Sequence, residues 1–258
     1  KMIYKMKDMK DVQKLFDNID DPMVSVCLSN IMGNVYADDQ QEPKSAVATL
    51  GNFSFFAGLA NKEIVSQRIA LLFDRGIDFH ILTPPDSQWE KVIEECFPER
   101  SKKITRYAMK KDVSGFDKQR LKSLFSSPPA GYEIRRIDGE LFAECLSAPW
   151  SQDLVGNYRD FTEYEKLGGM GFVAIKDGQI AAGASSYASG PRYLEIEIDT
   201  KMEHRRKGLA YACGSRLIYE CLENGIYPNW DAHNPESAHL AQQLGYQFSH
   251  AYTAYEVM

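Results

Sequence analysis

The stretch Arg192–Ala210, RYLEIEIDTKMEHRRKGLA, decides how this chain is read. Its first part alternates as a strand does, with Leu194, Ile196 and Ile198 on one face and Glu195 and Glu197 on the other. It then turns through a charged knot, His204–Lys207, and enters a helical run at Leu209. A helix entered this way presents its first amide groups to whatever lies in front of them, and such a ring of N–H donors suits an anion. Gly208 lets backbone pass close to a ligand, and Ala210 is small enough to allow the same approach. Arg206 and Lys207 add charge, and the helix dipole adds more. The turn fits a pyrophosphate, although the same residues also describe a solvated basic corner. It is neither a Walker loop nor a Rossmann fingerprint, because the glycine spacing of both is missing.

Working outward, 258 residues allow one large domain or two modest ones. A hydrophobic fraction of 44% and a charged fraction of 26% are those of an ordinary globular chain. The net charge of -6 implies no bulk attraction to nucleic acid or to an anionic membrane, so the basic knot needs a local reason. The five cysteines (Cys27, Cys96, Cys145, Cys213 and Cys221) form no C-x-x-C pair and suggest free thiols in a reducing, cytoplasmic setting. No metal-binding histidine spacing occurs. Cys213 and Cys221 sit among aliphatic residues, where structural thiols are the default.

The first half reads as α/β without a catalytic spacing. A helix is expected over residues 1–20, closed by Asp20-Asp21-Pro22. Strands are expected over 52–58, 77–82 and 103–109, with helices led by Asn61, by Asp86 or Ser87, and by Asp117. Ser126-Ser127-Pro128-Pro129-Ala130-Gly131 is the best linker in the chain. It sets an N-terminal α/β accessory domain at 1–127 and a second domain at 128–258. Beyond the linker the pattern gives a strand over 132–137, a short helix over 139–146 and a longer one over 152–167. A hairpin follows about Asp177-Gly178, then the strand 193–199, a long helix from Leu209 to Asn224 and a strand over 226–230. Asn234 caps a helix that stops at Gly245, and two short strands, 247–250 and 254–257, finish the sheet. No internal repeat is visible.

Arg205, Gly208 and Ala210 fit the Q/R-x-x-G-x-G/A loop that follows a strand in the GNAT superfamily of N-acetyltransferases. Asn234-Pro235-Glu236-Ser237 with Leu240, Leu244, Gly245 and Tyr246 resembles that superfamily's asparagine-led helix and its ending. DTKMEHRRKGLA, WDAHNPESAHLAQQLGY and the closing YTAYE further resemble the bacterial subfamily of zwittermicin A resistance acetyltransferases. The resemblance implies an α/β fold with a C-terminal GNAT domain, and acetyl-CoA as cosubstrate. Backbone at Ile198, Asp199 and Thr200 would pair with the pantetheine arm. Arg205, Arg206, Lys207, Gly208, Leu209 and Ala210 would hold the pyrophosphate, with Asn234 and Ser237 as further contacts. Asn234 reads equally well as a plain helix cap.

Acetyl transfer to an amine needs a neutral amine and a place for its proton to go, and carboxylates on the strand before the loop are the natural acceptors, directly or through water. Glu195 is the first candidate and Glu197 the second, unless that face is merely solvated. Ala241 stands where many members have a tyrosine that protonates the departing thiolate, which leaves Tyr246 or Tyr255 as substitutes or no protein acid at all. The expected activity is direct transfer to a primary amine of a small cationic molecule, with no nucleic-acid or membrane partner. The N-terminal half would close the acceptor site or mediate assembly, a homodimer included. The alternative is a catalytically silent acyl-CoA-binding sensor or scaffold.

Overall fold

A computed structural model describes residues 2–73 and 79–258. Along the chain it contains β1 (Tyr4–Lys5), α1 (Pro22–Leu28), β2 (Asn34–Ala37), β3 (Ser45–Leu50), β4 (Phe53–Gly58), α2 (Lys62–Phe73), β5 (His80–Thr83), α3 (Ser87–Cys96) and β6 (Ser101–Met109). There follow α4 (Lys118–Ser126), β7 (Glu133–Arg136), α5 (Gly139–Ser147), α6 (Phe161–Lys166), β8 (Gly171–Lys176), β9 (Gln179–Gly190) and β10 (Tyr193–Thr200). The chain ends with α7 (Leu209–Glu223), β11 (Tyr227–Asn229), β12 (Asp231–Ala232), α8 (Pro235–Leu244) and β13 (Phe248–Val257). The α/β class expected from the sequence is the class observed.

Contacts group the chain into two compact units, Lys1–Arg106 with Ala251–Met258, and Tyr107–His250. The division differs from one drawn at the linker. Leu121 of α4 is buried among Ile218, Trp230 and Leu244, which draws the segment before the linker into the second unit. Tyr255 and Val257 of β13 pair with Leu82 and His80 of β5, which draws the C-terminus into the first.

Several local expectations change for physical reasons. Residues 1–20 are not one helix: Tyr4–Lys5 pairs with β2, and only Gln13–Phe16 makes a 3-10 turn. Asp21-Pro22 opens α1 instead of closing a helix, with Asp21 Oδ1 accepting the Met23 N–H at 2.8 Å and Pro22 in the first turn. The strand expected from Ile77 starts at His80, its first part lying outside the described residues. The helix expected over 152–167 breaks into a 3-10 turn, Gln152–Leu154, and α6. Between them Asn157 Nδ2 donates to the Tyr187 carbonyl at 3.0 Å, and Asp160 caps α6 through the Glu163 N–H at 2.8 Å. The two strands expected after Gly245 are one strand, β13, beside β5 and β6 instead of β11. The outer edge of β11 disfavours another strand there: Pro228 has no N–H to give it, and its carbonyl accepts the Tyr246 hydroxyl at 2.6 Å.

The second unit holds a five-stranded sheet in the order β11-β10-β9-β8-β7. Its β7–β8, β8–β9 and β9–β10 joins are antiparallel and its β10–β11 join is parallel. In the first unit β1–β2, β2–β3 and β3–β4 are antiparallel and β4–β5 is parallel. The two units share one strand plan, each with a helix (α2 or α7) spanning its parallel pair. The Asp177-Gly178 hairpin between β8 and β9 forms as expected, with Asp177 at φ 50° and Gly178 at φ 77°.

α7 lays Leu209, Cys213, Leu217 and Cys221, spaced four apart, onto Phe172, Ala182 and Leu194 of the sheet. Gly214 brings the helix close: a Cβ there would sit 3.2 Å from Leu244 Cδ1 and 3.3 Å from Ile198 Cδ1. Burial pushes both helix thiols up to about 12, which makes Cys213 and Cys221 inert packing residues.

Candidate active site

β10 and β11 run together only for Tyr193–Glu195 against Tyr227–Asn229. Beyond that point β11 ends, while β10 continues to Thr200 and stays paired with β9 on its other side. The two strands therefore part, and among the described residues no strand pairs with the other edge of Ile196–Thr200. A cleft of about 1020 Å³ lies at this opening. Glu197–Thr200 form one wall, His204–Arg206 and Gly208–Tyr211 its end, and residues of His233–Leu240 the other wall.

The end wall is built to leave amides free. Arg206 and Gly208 both have left-handed backbone, at φ 59° and 80°, on either side of Lys207. Gly208 stands at the N-cap of α7 and supplies no side-chain acceptor, so the first-turn amides face the cleft uncapped. A Cβ on Gly208 would find only Pro129 Cγ, 3.9 Å away, so the glycine serves the backbone conformation and not a tight fit to protein. Arg205 Nε donates to the Thr200 carbonyl at 3.1 Å and ties the loop to the strand end. His204 Nδ1 lies 2.7 Å from the Tyr132 hydroxyl, which braces the loop from β7's side.

The opposite wall is fixed from within. Asn234 Oδ1 accepts the Ser237 N–H at 2.8 Å as the cap of α8, and its Nδ2 lies 2.9 Å from His233 Nε2. Trp230 Nε1 donates to Ser237 Oγ at 3.2 Å, which orients that hydroxyl.

Of the residues singled out from the sequence, Ile198, Asp199, Thr200, Arg205, Arg206, Gly208, Leu209, Ala210, Asn234 and Ser237 line this cleft, as does Glu197. Lys207 is not among its lining residues; its Nζ donates to the Glu203 carbonyl at 3.0 Å. Glu195 is not among them either. It is 4% exposed, and its carboxylate accepts from Asn229 Nδ2 at 2.8 Å and from the Tyr193 hydroxyl. His204, Tyr211, His233, Glu236, His239 and Leu240 also line the cleft, and the sequence reading assigns none of them a site role. For the three on α8 the signal is the i, i+3 and i, i+4 spacing of Glu236, His239 and Leu240, which puts them on one helix face.

The acid group of Asp199 is raised by burial first, with Asp153 raising it further, while the Thr200 N–H, Arg205 and His233 pull the other way. Asp153 is raised by burial as well. Neither tyrosine considered for thiolate protonation lines the cleft. Tyr246 is buried with its hydroxyl on Pro228, and burial raises it well above the ordinary value. Tyr255 belongs to the first unit, where its hydroxyl meets Glu94 at 2.5 Å. Ala241 is wholly buried beside Trp230 and Leu244. Among the described residues no cluster of His, Cys, Asp and Glu could hold a metal, and no helix is long and apolar enough to cross a membrane.

A splayed parallel pair with an uncapped helix end at its mouth defines a site for an extended, phosphate-bearing ligand. The GNAT acetyltransferase family model matches residues 13–255, and the chain belongs to that family. It is 27% identical to the uncharacterized N-acetyltransferase YdfB of Bacillus subtilis (strain 168), over 96% of this chain and 95% of that one. A GCN5-related N-acetyltransferase-like protein from Streptococcus suis 89/1591 has 40% identity and a TM-score of 0.89, over 98% of this chain and 99% of that one. A tandem GNAT protein from the clavulanic acid biosynthesis pathway shares the fold at 12% identity, with a TM-score of 0.57 over 99% of this chain and 98% of that one. The chain is therefore an acetyltransferase, and its family uses acetyl-CoA. The open amides, the flanking arginines and the free edge of β10 fit such a cosubstrate.

Proposed function

We propose that this enzyme transfers the acetyl group of acetyl-CoA directly to a primary amine of a small cationic acceptor. The observation that carries the proposal is the coincidence, in one cleft, of an uncapped helix end and a carboxylate, Glu197, on the free part of β10. Acetyl-CoA, when bound, supplies the thioester carbon. Backbone at Ile198–Thr200 would hold the pantetheine arm as an added strand does. The amides of Arg206–Ala210 would hold the pyrophosphate, with Arg205 keeping the loop in place. Asn234 and Ser237 would bound the arm on its other side.

An amine attacks only as the free base, so an entering ammonium must give up a proton. Of the cleft carboxylates on β10, Glu197 stands nearer along the strand to the point where the pair parts, and it would receive the proton. Glu195, enclosed by Asn229 and Tyr193, would act by holding the parting strands in register. Asp199 adds a further acidic group to the same wall and favours a cationic acceptor over an anionic one. The resemblance of the loop and α8 to zwittermicin A resistance acetyltransferases points to an amino-bearing antibiotic within that class. The N-terminal unit is accessory in this reading.

The test is thiol release from acetyl-CoA against a panel of polyamines, aminoglycosides and amino acids. Turnover with cationic amines, and its loss in Glu197→Gln, is the expected result. Binding of acetyl-CoA without thiol release across the panel would overturn the reading in favour of a sensor.

A further inference from the structure

We infer that the N-terminal unit is a second copy of the same fold whose cosubstrate cleft is filled by the protein's own side chains, so that one chain binds one acetyl-CoA. The inference rests on the proposal that the β10–α7 cleft is the acetyl-CoA site. It follows from matching the two units position by position along their shared strand plan.

In the second unit the parallel pairing stops at Glu195 opposite Asn229, and the capping residue of α8, Asn234, comes five residues later. In the first unit it stops at Phe55 opposite Thr83, and the capping residue of α3, Asp86, comes three residues later. The strands part in both. Asp86 Oδ1 accepts the N–H groups of Gln88 and Trp89 at 2.9 and 3.0 Å. Asn234 Oδ1 accepts the N–H of Ser237. Trp89 and Ser237 thus occupy the same place, the third residue after the cap, on the helix that walls the opening.

What they do there is opposite. Ser237 lines an open cleft. Trp89 is fully buried, stacks on Phe56 with ring centroids 4.9 Å apart, and donates its indole Nε1–H to the Gly58 carbonyl at 2.9 Å. Phe56–Gly58 is the part of β4 beyond the parallel pairing, the counterpart of Ile196–Thr200 in β10. The indole therefore lies against the strand segment that an added chain would have to reach, and hydrogen-bonds its backbone itself.

The helix end is closed as well. Between β4 and α2 only residues 59–61 intervene, against residues 201–208 between β10 and α7. Asn61 Oδ1 accepts the Glu63 and Ile64 N–H groups at 3.0 and 3.4 Å. Glu63 also puts a carboxylate in the first turn of α2, where a phosphate would be repelled; α7 has no acidic residue there. Three independent features, an indole in the groove, a capped helix end and a first-turn carboxylate, make the first unit a closed counterpart.

The experiment is calorimetric titration of coenzyme A into the native chain and into Gly208→Val and Ala210→Glu. The second variant places a carboxylate where a helix N-terminus tolerates it, so it keeps the test usable should Gly208→Val fold poorly. One site per native chain, weakened at least 100-fold in the variants, is the expected result. Two sites in the native chain with one surviving in the variants would overturn the closure of the first unit while leaving the β10–α7 site intact. One site in the native chain that survives unchanged in both variants would overturn the β10–α7 assignment, and would put binding where the inference excludes it.

Discussion

The β10–α7 turn and the β4–α2 turn each join the first strand of a parallel pair to the helix that crosses it, yet only the first turn leaves its helix end open. Gly208, at φ 80°, caps α7 with nothing, whereas Asn61 caps α2 with its own side chain. The pattern repeats on the facing helix, where Ser237 leaves room and Trp89 takes it. The strand plan alone provides the parting strands; the residues at two or three positions decide whether the gap becomes a ligand site or hydrophobic core. A self-capped helix end gains roughly 1 kcal/mol of local stability, and an uncapped one keeps its donors available for an anion.

The largest expected effect breaks the closed side. Trp89 is wholly buried with Phe56, Ile64, Leu82 and Ile93 around it, so Trp89→Ala should cost about 3–5 kcal/mol of stability. Urea denaturation would show it, and acetyl-CoA affinity at low denaturant should be unchanged. A comparable loss of affinity would tie Trp89 to binding and undo the contrast. On the open side, Glu197→Gln should lower kcat by about 10²–10³-fold with little change in the KM for acetyl-CoA, the size expected for loss of a general base. Steady-state kinetics would reveal an unchanged kcat if Glu197 is only a solvated strand residue. Glu195→Gln should instead lower the melting temperature, since it disturbs a buried hydrogen-bonded carboxylate.

The smallest effect concerns the strand end. Burial raises the acid group of Asp199 above its ordinary value of 3.8, so the native state keeps this proton to higher pH than the unfolded chain does. Its contribution to stability is therefore full in acid and declines as pH rises through the raised value. Asp199→Asn, which can still accept the Thr200 N–H, should gain melting temperature relative to the native chain as pH climbs from below 3.8 towards neutrality. Melting curves over that range check it; a constant difference would remove the argument.

Much of this site was legible because it is local. The alternation of Leu194–Ile198, the glycine ahead of α7 and the Asn234 cap each follow from neighbouring residues, and all three appear in the cleft or beside it. What the sequence hid depends on distant partners. Glu195 and Glu197 look alike along the strand, and only Asn229 and Tyr193 distinguish the buried one from the one facing the cleft. β3 gives no alternation because all six of its residues are buried, Ala46, Val47 and Ala48 completely. β13 reads as a continuation of the second unit, and its pairing with β5 rests on residues distant in the sequence, Tyr255 with Leu82 and Val257 with His80. The shared strand plan likewise leaves no visible repeat in the sequence, because many different apolar residues satisfy the same pattern of pairing and burial.

The central claim is that a few side chains, foremost the one at the third residue after the helix cap, decide which unit holds acetyl-CoA. Ser237→Trp places in the open cleft the residue that fills the closed one, and calorimetric titration of acetyl-CoA into this variant tests the claim directly. The account predicts at least a 100-fold loss of affinity with the melting temperature maintained. Native affinity in a folded Ser237→Trp chain would contradict it.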